Sequence, residues 1–79
     1  MPVEVVRWAF DYAQDVAART GWRASEVYAM MLAAVDNRID DETIRRCVEL
    51  TVDARVGTES FADALRRVAD AEGESDAAR

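Results

Sequence analysis

From Val27 to Val35 the chain carries nine apolar or aromatic residues in succession. The run is too short to cross a bilayer and long enough for a buried helix. On a wheel of about 100° per residue, Val27, Tyr28, Met30, Met31, Leu32 and Val35 spread over roughly 200°, opposite Glu26, Ala29 and Ala33. A helix this apolar needs neighbours on more than one flank. The stretch from Ser25 to Val35 therefore predicts the centre of a helical bundle.

Three further segments repeat at the helical period. Across residues 3–19, Val5, Val6, Trp8, Phe10, Tyr12 and Val16, with Ala9, Ala13 and Ala17, cover roughly 220° of the wheel. Trp8 and Tyr12 border this arc on one side and Phe10 on the other; Glu4, Arg7, Asp11, Gln14 and Asp15 fill the remainder. In residues 41–56, Ile44, Cys47, Val48, Thr51 and Ala54 face one way, with Leu50 and Val52 on the flanks. Glu42, Arg45, Arg46, Glu49 and Asp53 line the outside of that helix. Residues 59–71 hold a narrower stripe of Phe61, Leu65 and Val68, the mark of a peripheral helix with one wet side.

Local punctuation agrees with this division. Pro2 suits the first turn of a helix. Gly21 can enter the left-handed conformation that stops one, with Trp22 packing back on Val16 or Ala17. Ser25 is a candidate N-cap for residues 24–36, and Asn37 a candidate left-handed residue in the turn after it. Asp40 is expected to cap the third helix, with Ile39 and Ile44 spaced as a hydrophobic staple. Gly57 is expected to end that helix and Thr58 to cap the fourth. The fold class predicted is all-α: a small four-helix bundle with a short acidic C-terminal tail. Residues 1–72 form a single helical domain, and residues 73–79, without a large apolar side chain, a mobile acidic tail.

Composition narrows the function. Seventy-nine residues make one modest core, near the lower limit of independent stability. All ten basic residues are arginine, which points to a GC-rich genome, prokaryotic or phage. The net charge of −6 divides into −4 over residues 1–71 (nine Arg, thirteen acids) and −2 over residues 72–79 (one Arg, three acids). Such a domain is repelled by phosphate backbones, which argues against nucleic acid as a partner. The single Cys47 excludes an internal disulfide and fits a reducing compartment. With no signal peptide, membrane-spanning run or lipidation motif, the expected location is cytoplasmic.

Candidate chemistry is sparse. The chain has no histidine and no lysine, and Cys47 has no base near it in sequence, so the usual activated nucleophiles are missing. Cys47 is expected on the inward face as a small hydrophobe. No catalytic residue, cofactor or metal ligand is assigned. Asp11 with Asp15, and Glu49 with Asp53, are the pairs from which a Mg²⁺ enzyme would have to be built. The paired ExxE and ExxD motifs of small all-α nucleotide pyrophosphohydrolases are absent. The acidic turn of Asp36, Asp40, Asp41 and Glu42 lacks the glycine of an EF-hand loop; Asp40, Asp41 and Glu42 are expected to complement the positive end of the third helix, in preference to holding a metal or a basic partner. Length and acidity are similar to those of acyl carrier proteins, but neither Ser25 nor Ser60 lies in their Gly-x-Asp-Ser-Leu motif.

The run AARTGWRASEV, Ala17 to Val27, resembles the turn joining the two helices of ribbon-helix-helix repressors. That resemblance implies a dimeric DNA-binding regulator of antitoxin type. The family also requires an N-terminal strand with base-reading polar residues. Only Met1 to Val6 precede the helical pattern, and Glu4 stands where a basic or hydroxyl residue would be wanted.

The reading expected first is a small acidic non-enzymatic module that binds another protein, such as an inhibitor, antitoxin, immunity protein or phage-encoded regulator. The alternatives are the DNA-binding dimer and the carboxylate–metal enzyme. The first two helices present more apolar arc than two further helices can cover. Trp8, Tyr12, Val5, Trp22 and Tyr28 are therefore the expected interface, in a homodimer or with a different protein. The competing expectation is that the fourth helix or the Trp22 turn folds over Trp8 and Tyr12.

Overall fold

The computed structural model describes residues 2–77, with side chains described as far as Ala71. It is a four-helix bundle of α1 (Val3–Thr20), α2 (Ala24–Asp36), α3 (Asp41–Ala54) and α4 (Phe61–Ala77), with no strand among the described residues. Short connections fold α1 on α2 and α3 on α4 as two hairpins. α2 touches all three other helices, most closely α1 and least α3, as its long apolar run requires.

The core joins Ala9, Ala13 and Val16 of α1, Val27 and Met31 of α2, Ile44, Val48 and Val52 of α3, and Phe61 and Ala64 of α4. Alanines at the α1 contact let α2 approach closely. Thr51 is fully buried, and its hydroxyl donates to the Cys47 carbonyl at 2.7 Å, so no polar atom of it is stranded. The molecule is flattened, with principal extents of 40 × 29 × 14 Å. Its radius of gyration of 12.7 Å exceeds the roughly 11.6 Å expected of a 79-residue domain. Its 5458 Å² of accessible surface exceeds the roughly 4,800 Å² expected from its 8.8 kDa mass.

Several expected boundaries move, each for a local reason. α2 starts at Ala24 after an extended Arg23, and no side chain caps it; Ser25 is exposed inside the first turn. Glu26 instead accepts a hydrogen bond from the Ala62 amide at 2.8 Å, capping α4 from across the bundle. α3 ends at Ala54 rather than 56, and Arg55 is extended. Gly57 is left-handed (φ 57°), but it lies in the following loop. Thr58 does not cap α4. Ser60 does, its hydroxyl accepting from the Asp63 amide at 3.2 Å while its carbonyl accepts from Ala64 at 3.0 Å. α4 continues through Ala77 rather than stopping at 71, so the backbone of residues 73–77 is helical. Residues 78–79 of the expected tail lie outside the described residues.

Asp40 caps α3 as expected, accepting from the Thr43 amide at 3.2 Å and the Thr43 hydroxyl at 2.6 Å. These bonds hold its carboxyl below the usual carboxylate range. Gly21 takes its left-handed role (φ 84°), donating to the Ala17 carbonyl at 2.8 Å. At the end of α2 the left-handed residue is Arg38 (φ 63°), not Asn37. Asn37 stays near-helical, and its side-chain amide donates to the Ala33 carbonyl at 2.8 Å, which defers the reversal by one residue. The Ile39 amide then donates to Ala34 and the Arg38 amide to Val35, the paired bonds of a Schellman stop. A non-glycine residue in that conformation is costly. Arg38→Gly is therefore expected to raise stability by about 0.5–1 kcal/mol. A urea midpoint at or below wild type would show that the Arg38 side chain outweighs its backbone strain.

Candidate functional site

The expected interface residues do not gather into one patch. Trp8 and Tyr12 lie together on α1, ring centroids 6.0 Å apart. Trp22 is beyond the far end of α1, about 18 Å of helix from Trp8 to Thr20. There its ring meets Phe61 edge-on at 5.3 Å, and its Nε1 donates to the Glu59 carbonyl at 2.9 Å. It thus ties the α1–α2 turn to the α3–α4 loop. Tyr28 packs edge-on against Phe10, centroids 5.9 Å apart, on the other border of α1. All four aromatic residues predicted for the interface are half-buried and pack against the core. Phe10, not among them, is 50% exposed.

The Trp8–Tyr12 strip is covered, but neither by α4 nor by the Trp22 turn. The cover is α3, through residues placed on its wet side by periodicity. The Arg45 guanidinium lies over both rings, 4.8 Å from the Trp8 centroid and 5.7 Å from that of Tyr12. The Tyr12 hydroxyl donates to Glu49, and Arg19 reaches the same carboxylate with two nitrogens at 2.7 and 3.1 Å while also pairing with Asp15 at 3.2 Å. The Arg19 and Tyr12 hydrogen bonds pull the Glu49 carboxyl down to about 2. Burial, with the Glu49 carboxylate beside it, pushes the Tyr12 phenol above its ordinary range. At about 100° per residue, this seating turns α3 by roughly 50° from the expected orientation. Val52 is buried, while Cys47, expected inward, is exposed, and Leu50 is 45% exposed.

The Trp8 Nε1 atom is buried without a hydrogen-bond acceptor, whereas Trp22 Nε1 has one. A buried unpaired donor weakens the fold, so removing it offsets part of the packing lost with the indole. Trp8→Phe is expected to cost under about 1 kcal/mol and Trp22→Phe about 1–2 kcal/mol. Equal losses in denaturant titrations would show that the indole hydrogen bond to Glu59 contributes nothing.

The α3–α4 loop is organised by Glu59. Its carboxylate accepts from the Val56 amide at 3.2 Å and pairs with Arg67 at 2.5 Å; Arg67 also donates to the Ala54 carbonyl at 2.6 Å. The Arg67 contact holds the Glu59 carboxyl below its ordinary range. Glu49 and Asp15 are likewise held by Arg19, and no group of three or more His, Cys, Asp or Glu side chains is arranged for a metal among the described residues. Val3 to Val6, where a ribbon-helix-helix protein has its strand, form the first turn of α1.

Ile39, which is 42% exposed, stands between two clefts with apolar walls; Val3, Phe10, Leu50 and Val56 are more exposed still and line neither. One cleft, ≈ 130 Å³, runs between α2, α3 and α4, walled by apolar atoms of Met30, Met31, Ile44, Phe61 and Leu65, with Cys47 also lining it. The second, ≈ 390 Å³, is lined by Glu4, Val5, Trp8, Val35, Ile39 and Asp41, so Ile39 forms a wall of both. Periodicity had placed Ile39 under a staple and Met30 in the core; both are partly open, Met30 at 38%. The available signal was shortage of cover: α2 has a wider apolar arc than its neighbours can reach. No family model, no curated protein and no solved structure matches the chain. Among the described residues, no helix is long and apolar enough to cross a membrane.

Proposed function

We propose that the protein is a small acidic non-enzymatic module that binds another protein through the surface around Ile39. The observation carrying this reading is the pair of clefts that share Ile39, beside two large apolar side chains left more than a third exposed. Clustered apolar exposure of this kind marks interaction surfaces. Methionine at such a surface adapts its shape to what docks there. Glu49, Glu59 and Asp40, the carboxylates most strongly engaged, hold helices and loops together. Inhibitors, antitoxins, immunity proteins and phage-encoded regulators are the classes that suit such a module. A symmetric homodimer through Trp8 and Tyr12 would first have to lift Arg45 and Glu49 from α1, which favours a surface centred on Ile39, where Trp8 is only one wall.

The test is a photo-crosslinking residue at position 39 of the full chain, expressed in its own host cells, with the same residue at the exposed position 53 as control. A discrete protein adduct at 39 and none at 53 is expected. No adduct at 39, or the same adducts at both positions, would remove the proposal.

A further inference from the structure

Resting on that reading, we infer that the partner segment is amphipathic and basic, placing an apolar side chain in the Met30–Phe61 cleft and a lysine or arginine between Glu4 and Asp41. The first cleft sets the apolar half. Its ≈ 130 Å³ is close to the roughly 150 Å³ apolar cavity that accepts benzene, so it suits one leucine- or phenylalanine-sized side chain.

The second cleft sets the charged half. Glu4 and Asp41 line it from the first turns of α1 and α3, and neither carboxylate forms an ion pair among the described residues. Val5, Val35 and Trp8 line the same cleft with apolar surface, a combination that receives the methylene stem of a basic side chain while its head meets the carboxylates. Arg45 does not satisfy those acids, because its guanidinium is spread over the Trp8 and Tyr12 rings. Ile39 separates the clefts, so one occupant can fill both.

Charge also selects against the other occupants. A second copy meeting this face symmetrically would bring Glu4 and Asp41 toward their own copies, on a chain already at −6. An acidic segment meets the same repulsion. A basic one is steered in, with strong dependence on salt.

The experiment titrates the full methyl-labelled chain with two designed helical peptides of identical apolar face, one with lysines and one with glutamates on its polar face. The lysine peptide is expected to shift the methyl signals of Met30, Val35 and Ile39 and the indole signal of Trp8. E4Q/D41N should weaken it about tenfold at low salt, and the charge-matched control D53N/D70N should not. I39D should abolish the shifts. Equal binding of both peptides, no binding of the lysine peptide, shifts centred elsewhere, or equal weakening by both double variants would overturn the inference. So would concentration-dependent sedimentation of the chain alone that I39D removes, which would make the occupant a second copy. A position-39 adduct in cells together with a failed peptide test discards only the basic segment. Loss of the adduct discards the protein-binding reading as well.

Discussion

Phe61→Ala should cost about 3–5 kcal/mol, the range for emptying a buried phenylalanine site. Phe61 is 1% exposed, the first residue of α4 and the largest fully buried side chain. It meets the Trp22 ring and helps wall the apolar cleft, so its loss loosens the α1–α2 turn, the start of α4 and that cleft together. A 79-residue domain has a total stability of about 4–12 kcal/mol, so the variant should lose a large share of it. Urea unfolding followed by far-ultraviolet circular dichroism measures this. An unfolding free energy within about 1 kcal/mol of wild type would mean that the site collapses around the void and this packing is dispensable.

The second large effect is at Glu49. Glu49→Ala leaves the Tyr12 hydroxyl and Arg19 without their shared acceptor, and is expected to cost about 2 kcal/mol at pH 7. The value is held to that level because Glu49 is 43% exposed and solvent screens the ion pair. Its carboxyl is depressed on folding, from an ordinary 4.5 to about 2. The stabilisation is therefore complete above about pH 4.5 and is lost as pH falls toward 2, where the folded protein also takes up the proton. The gap between wild type and Glu49→Gln should narrow over that window. A constant gap from pH 7 to pH 2 would show that Glu49 acts through packing alone. Tyr12 contributes the opposite limb: its phenol is raised on folding, so that stabilisation holds below pH 10 and fades at higher pH.

Most of the fold was legible because helical periodicity is a property of consecutive residues. The run through Val27 and Met31 marked the central helix, and Asp40 and Gly21 marked boundaries by chemistry that acts within four residues. The losses share a different cause. Arg45 and Glu49 read as solvent-facing because they are charged, yet their long stems cross to α1 and their heads find Tyr12, Trp8 and Arg19, partners invisible to a wheel. With those two lying against α1, Cys47 and Leu50 are left exposed. Glu26 reads only as a polar residue opposite the apolar arc, whereas its carboxylate accepts from the Ala62 amide, thirty-six residues away. Arg38 was passed over because side-chain preference favours Asn37 in a left-handed turn, and the Asn37 bond to Ala33 then moved the reversal on. Trp8 and Val5, expected at an interface, line the second cleft; Ile39 and Met30, expected under cover, are partly exposed because the bundle is too thin to cover them.

That thinness has a thermal consequence. In a body 14 Å across at its narrowest, every core side chain has water within about one helix diameter, so unfolding uncovers little apolar surface for the chain length. Newly hydrated apolar surface raises the heat capacity on unfolding, and an ordinary domain of 79 residues would gain about 1 kcal/mol/K. Here the gain should be smaller and the stability curve correspondingly flat. Cooling then strengthens the fold little and heating erodes it gradually, so the protein holds a nearly even stability over a broad span of temperature instead of a sharp optimum.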